Sequence, residues 1–257
     1  MNRFLLATGT LVQRELARFF RQRNRLIGAL LTPLLFWILL GAGLGGSYRV
    51  PLGGSSVSYF QYFLPGTMAL VCLFTAIFST MSVIEDRQAG FLQGVLVSPA
   101  PRSALVAGKM AGGMLLAFFQ AALFMALLPF LHVSLSLSGF FVTVAMLLLM
   151  SFGLTGLGLI IAWKTDSVQG FHAVMNLFLM PLWFLSGAVF PASGAPPWLR
   201  WAMTINPMSY GVAALHRGFF PGGDGPSLAL CFGVNLLFAV FTFWFSLTLV
   251  RRGGDIG

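Results

Sequence analysis

Few side chains in this sequence have the chemistry to react, and their spacing keeps those few apart. The three histidines, His132, His172 and His216, are distant in sequence and lie near the ends of apolar runs. An interfacial or helix-capping role suits each of them better than catalysis or metal binding. Cys72 and Cys231 each sit deep in an apolar run, where a cysteine acts as a small packing residue rather than as half of a disulfide or metal site. Gly108-Lys109 is followed by Met110 and lacks the earlier glycine of a GxxxxGK[ST] phosphate loop, so ATP is not bound by that route. Neither HExxH nor a paired CxxC occurs. No catalytic residue, cofactor or metal site is expected, and the chain is read as non-enzymatic.

Ion-coupled carriers place ionisable groups inside the membrane, and selective pores want rings of charge or a carbonyl loop. The apolar runs offer only His172, near the end of one of them. If this protein moves something uphill, the energy must come from outside the chain.

The surroundings of these residues explain the scarcity. Of 257 residues, 58% are hydrophobic and 8% charged, and the mean hydropathy is +0.89. A soluble domain carries about a quarter charged residues, so most of this surface must face something other than water. The net charge of +9 does not point to nucleic acid, because the basic residues cap apolar runs instead of forming a polar face. The arginines among the first 25 residues leave no room for the apolar core of a cleavable signal peptide.

A span needs about twenty apolar residues. Six runs qualify: 26–44, 60–84, 110–131, 140–163, 168–190 and 227–250, none containing Asp, Glu, Lys or Arg. With the N-terminus in the cytoplasm, twelve basic residues fall inside: Arg3, Arg14, Arg18, Arg21, Arg23, Arg25, Arg87, Arg102, Lys109, Lys164, Arg251 and Arg252. Three fall outside, Arg49, Arg200 and Arg217. That bias predicts both termini inside and an even number of spans. The expected fold is an all-α membrane protein of six transmembrane helices in a single domain, residues 1–257.

Three segments lie outside the spans. Within residues 1–25, Arg14, Arg18, Arg21 and Arg25 recur at helical spacing opposite Val12, Leu16, Phe19 and Phe20. This predicts an amphipathic interfacial helix with its arginines toward lipid phosphates, or a plain positive-inside anchor. Residues 85–109 form a cytoplasmic connection in which a short helix over 91–97 ends at Ser98-Pro99-Ala100-Pro101, beside charges at Glu85, Asp86 and Arg87. Residues 191–226 form an external segment. Trp198, Trp201, Ala202 and Ile205 mark a short amphipathic helix there, and Asn206-Pro207 caps a second running to about His216. Gly41/Gly45 and Gly108/Gly112 have the spacing of close helix contacts. Pro65 and Pro181 should kink or break their helices.

Taken in order, these segments resemble the membrane subunit of an ABC-2 type transporter, the class that includes antibiotic-resistance, lipo-oligosaccharide and polysaccharide exporters. Tyr62-Phe63-Leu64-Pro65-Gly66 is similar to the family's Y-hydrophobic-hydrophobic-P-G motif, and Glu85 through Gly90 and Leu92 to Ser98-Pro99 resemble its cytoplasmic E-x-R-x-x-G-x-L…S/T-P segment. Residues 184–191 and Asn206-Pro207-Met208-Ser209-Tyr210 resemble the end of the fifth span and the external re-entrant segment. Where relatives often have Glu-Gly-Thr-Leu-Glu, this chain reads Ala89-Gly90-Phe91-Leu92-Gln93. Charge contacts at Phe91 and Gln93 therefore do not carry over.

The resemblance implies a half-transporter. A second copy of the permease and two copies of a separate ABC ATPase subunit would complete it, and the arginine-rich helix and residues 85–99 would receive the ATPase motion. It implies export of a hydrophobic or amphipathic substrate (a drug, lipid or lipid-linked glycan) across a cell inner membrane, along a face built from the first, second and fifth spans. The alternative class is a non-transporting intramembrane scaffold or enzyme, which would need polar groups such as His172, Asn176 and Ser186 to converge.

Overall fold

An apolar run in hydrocarbon must close its own backbone hydrogen bonds, and a helix does so within one segment. The computed structural model describes residues 3–21, 23–45, 49–52, 55–131, 133–222 and 225–252. It is helical almost throughout. In chain order the helices are α1 (Arg3–Arg21), α2 (Arg23–Gly45), α3 (Tyr59–Ser79), α4 (Met81–Gln88), α5 (Phe91–Leu96) and α6 (Arg102–Leu123). Then come α7 (Leu137–Lys164), α8 (Val168–Phe184), α9 (Pro197–Ile205), α10 (Pro207–Phe219) and α11 (Leu228–Arg252).

Among the described residues five stretches are long and apolar enough to cross a membrane: Ile27–Gly45, Tyr59–Gln88, Arg102–Leu131, Leu137–Lys164 and Leu228–Arg252. The fifth run is shorter than 168–190 predicts. Helix α8 ends at Phe184, and its 17 residues rise only about 26 Å at 1.5 Å each. The chain then turns through Leu185 and Ser186, whose amides donate to the carbonyls of Pro181 and Trp183. Neither Pro65 nor Pro181 breaks its helix, since α3 runs on for fourteen residues past the first and α8 for three past the second.

Two further corrections concern boundaries. Residues 85–88 are the last turn of α4, which carries on the line of α3 across Thr80, and residues 102–109 already belong to α6. The second and third membrane stretches therefore do carry charges: Glu85, Asp86 and Arg87 in one, Arg102 and Lys109 in the other. Between α2 and α3 there is also an antiparallel ribbon, β1 (Arg49–Leu52) with β2 (Ser55–Ser58), in which Val50 pairs with Val57. Gly53-Gly54 between two short runs was the signal for it.

Helix α3 is the axis of the molecule. A helix apolar on all sides is one that others surround, and α3 is buried from Tyr62 through Leu73, in contact with α2, α6, α7, α8 and α10. It has no free face to line a path, contrary to the expectation for the second span. The outward apolar surface belongs instead to α2 (Leu31, Leu35, Leu39) and α8 (Leu177, Phe178), and to α11. In α10 the buried stripe is Met208, Val212, Leu215 and Phe219, set between α7, α11 and α3, whereas α9 turns Trp198 and Trp201 outward, 72% and 71% exposed.

Backbone approaches α3 closely at Gly66. Its carbonyl accepts from Trp183 Nε1 at 2.9 Å, and a Cβ there would lie 2.6 Å from the Ala188 carbonyl oxygen. Gly66→Leu should therefore destabilise the detergent-solubilised protein by about 1–3 kcal/mol and lower its melting temperature. Gly43→Leu, with nothing within 4 Å of the new Cβ, should melt like wild type. Thermal unfolding of both checks this.

Candidate functional site

The site is assembled where α1 lies across α6. Two glycines a helical turn apart leave a groove, and Gly108 and Gly112 receive two α1 side chains at the same spacing, Leu11 and Glu15. A Cβ on Gly108 would sit 2.7 Å from Leu11 Cβ, and one on Gly112 would sit 2.9 Å from Glu15 Cβ. The buried stripe of α1 is thus Leu11, Glu15 and Phe19, and it carries a carboxylate into the protein.

That carboxylate needs a cation, and Lys109 of α6 supplies it. Lys109 Nζ donates to Glu15 Oε1 at 2.6 Å, to Asp86 Oδ2 at 2.7 Å and to Ser82 Oγ at 3.0 Å, which uses all three of its N–H groups. The three charged residues are almost fully enclosed, at 5% (Glu15), 4% (Lys109) and 2% (Asp86) exposure. Two arginines of α1 close the cluster from outside. Arg14 grips Asp86 with both terminal nitrogens at 2.6 and 2.9 Å, and Arg18 bridges Asp86 at 2.8 Å to Glu85 at 2.5 Å. Its hydrogen bonds to Asp86 hold the Arg14 guanidinium above its ordinary value, against the opposing effect of burial. Three cations meet three carboxylates, so the cluster is neutral as a whole.

Arg14 and Arg18 therefore face carboxylates of α4, which corrects the expectation that they point at lipid phosphates. Arg21 is exposed, and the side chain of Arg25 lies outside the described residues. Glu15 was not singled out in the sequence, and Lys109 was counted only as a flanking charge. The available signal was an acidic residue within an arginine-rich helix, at the same spacing from Leu11 as Gly112 is from Gly108.

The rest of the connection is built on this cluster. Gly90 adopts φ 74°, the left-handed conformation that lets the chain leave α4 and begin α5. Leu92 is buried, while Gln93, Gly94 and Val97 face outward. The Arg14 guanidinium stacks 3.8 Å above the Phe91 ring, tying α5 to α1. Ser98 Oγ donates to the Val95 carbonyl at 2.7 Å and ends α5, and Pro99 is exposed just beyond it. Arg87 points away from the cluster. It donates to the Trp163 and Thr165 carbonyls at 2.7 and 3.2 Å, at the C-terminus of α7, where a cation is favoured.

The residues of the segment expected to be external, 191–226, are at the other end of α3. Asn206 Oδ1 accepts from the Met208 amide at 3.0 Å, and its Nδ2 donates to the Leu182 carbonyl at 2.7 Å. It thus caps α10, with Pro207 at the first helical position, and joins it to α8. Of the polar groups a scaffold or enzyme would need, His172 and Asn176 are exposed on α8 while Ser186 is buried in the turn beyond it. His132 lies outside the described residues.

Buried pairs add little stability over apolar packing, but breaking one leaves an uncompensated charge. Lys109→Met should destabilise the protein by about 3–5 kcal/mol. Glu15→Leu combined with Lys109→Leu should cost less than Lys109→Met alone, because Asp86 keeps both arginines. Thermal melts of the three proteins in detergent decide it, and a neutral Lys109→Met would contradict the cluster.

Comparison with known proteins agrees with this architecture. The chain is 27% identical to the inner membrane transport permease YadH of Escherichia coli (strain K12), over 98% of both chains. It is 28% identical to the putative transport permease ycf38 of Cyanophora paradoxa, over 81% of this chain and 72% of the relative. The probable multidrug ABC transporter permease YbhR of the same Escherichia coli strain is 28% identical over 60% of this chain and 42% of its own length. The profile of the ABC-2 type transporter family matches residues 7–220, and the chain belongs to that family, as a multi-pass membrane subunit of a transporter.

Proposed function

We propose that this chain is the permease of an ATP-driven exporter in a cell inner membrane, working as two copies with two separate ATPase subunits. It has six spans in this reading, α8 being the fifth, with both termini in the cytoplasm and α9 at the outer interface. The observation that carries it is the buried cluster. It makes α1, the end of α4 and the start of α6 one block, with α5 fastened to it through Arg14 and Phe91. A block of that kind passes on a displacement delivered at its exposed side, whereas a loose loop would absorb it.

In this scheme Gly94, Val97 and Pro99 meet the ATPase, Gly90 sets the angle of α5, and Glu85, Asp86, Arg14 and Arg18 transmit the load. Arg87 anchors α4 to α7, and Leu92 and Ser98 fix the two faces of α5. The uncovered apolar faces of α2 and α8 suit a second copy and a hydrophobic or amphipathic substrate passing between the copies. A multidrug name on one relative is in keeping with that class.

Affinity pull-down of the tagged protein in mild detergent should recover a P-loop ATPase with measurable ATP hydrolysis. Gly90→Val should lower that recovery about tenfold, a loss of about 1.4 kcal/mol, with the permease melt shifted far less than by Lys109→Met. A permease that purifies alone in several detergents, without ATPase activity, would sink the reading.

A further inference from the structure

Helix α4 carries a second set of bonds, on the side away from the charge cluster. A helix leaves its last carbonyls without intrahelical partners, and Arg87 takes up those of α7. Its Nη2 donates to the Trp163 carbonyl at 2.7 Å and its Nη1 to the Thr165 carbonyl at 3.2 Å, while the guanidinium lies 5.6 Å from the centre of the Trp163 ring. One residue on, Gln88 Nε2 donates to the Asp166 carbonyl at 3.2 Å. Two consecutive side chains of α4 therefore hold the end of α7 and the connection that leaves it. The approach of Arg87 to the Asp166 carboxylate adds little, because that carboxylate is fully exposed.

The connection leads at once to α8. Only Thr165, Asp166 and Ser167 separate the two helices, a reach of about 10 Å at most. Thr165 and Ser167 are already extended. Ser167 then caps α8, its Oγ accepting from the Gly170 amide at 3.0 Å. A link that short and that straight has little slack, so the first turn of α8 follows Asp166.

The two helices joined here are held differently. Helix α7 packs on α3, α6, α10 and α11, whereas α8 rests on α3 and α4. The polar ties of α8 lie at its far end, where Trp183 donates to the Gly66 carbonyl and Asn206 to the Leu182 carbonyl. Its start is held by the buried Phe171 and by the bonds from α4 to the connection. Those bonds reach no further into α7 than its last turn, the part of a helix that frays.

We infer that Arg87, together with Gln88, is the positioning residue through which α4 sets the start of α8. One short helix then works in two directions. Glu85 and Asp86 join it to α1 and α6, and Arg87 and Gln88 hand its displacement to α8, which turns about its far end. The face that turns carries Leu177 and Phe178 outward. That this face borders the path rests on the proposed function, but the link between α4 and α8 does not.

Spin labels at Gln93→Cys on α5 and Gln169→Cys on α8, both exposed positions, test the link in the purified full-length permease in nanodiscs. The distance distribution should be narrow with Arg87 present, broad in Arg87→Ala, and narrow again in Arg87→Lys, which keeps a cation at the end of α7. A merely stabilising role would shift the melting temperature and leave the distribution as it is. Should Arg87→Ala fold poorly, two glycines inserted between Asp166 and Ser167 leave the Arg87 bonds in place, give the connection slack, and should broaden the same distribution. In the complex with the recovered ATPase, ATP should change the distance from Gln169→Cys to Leu237→Cys, on the outward face of α11, and leave the Gln93–Gln169 distance in place. The first comparison needs no ATPase, so this link and the proposed function can fail separately. A Gln93–Gln169 distribution that stays narrow in folded Arg87→Ala and in the glycine insertion would overturn the inference. So would ATP changing that distance while Gln169 stays fixed against Leu237.

Discussion

The structure depends on one ammonium group. Lys109 of α6 is enclosed between Glu15 of α1 and Asp86 and Ser82 of α4, so one group ties three helices together. Taken out of water, none of these charges can be left unpaired without a penalty of several kcal/mol. Coulomb attraction at such distances is far stronger than at an exposed surface. The constraint is therefore positional: α1 must lie over Gly108 and Gly112, because only there does Glu15 reach Lys109. Arg14 and Arg18 then fall beside Asp86 and Glu85, and Phe91 falls under Arg14.

From that point the architecture extends in two directions. The helical line of α3 and α4 spans 30 residues, about 45 Å at 1.5 Å per residue. One end of it carries Asp86 in the charge cluster, and the other carries Tyr62, which donates to the Gly187 carbonyl in the turn after α8. Because α3 is buried on all sides, displacement of either end is felt by every helix packed on it. The break at Thr80 is the one interruption in this line. There α3 ends and α4 begins, with the Thr80 amide and hydroxyl both bonded to the Ile77 carbonyl.

Much of this was legible in the residues. Apolar runs gave the membrane stretches, the Ser98-Pro99 break gave the end of α5, and Asn206-Pro207 gave the start of α10. Each is a local signal, acting within a few residues. The cluster was not legible in the same way. Glu15 and Lys109 are 94 positions apart, and an arginine-rich helix reads equally well as a lipid-facing one until its partner is known. The end of α8 and the inclusion of 85–88 in α4 were missed for a related reason: hydrophobicity marks where a chain is apolar, while hydrogen bonding decides where a helix stops. Buried α3 likewise looks no different in sequence from outward-facing α2, since both are apolar all round.

The central claim is that α1 and α5 move as one body. The most direct measurement is a spin-label distance between Ala17→Cys on α1 and Gln93→Cys on α5, both exposed positions, with native Cys72 and Cys231 buried. In the complex with its ATPase, in nanodiscs, the distance distribution should be narrow and should stay in place when ATP is added. A broad distribution, or one that shifts with nucleotide, would mean that the cluster does not hold the two helices together and would contradict the account.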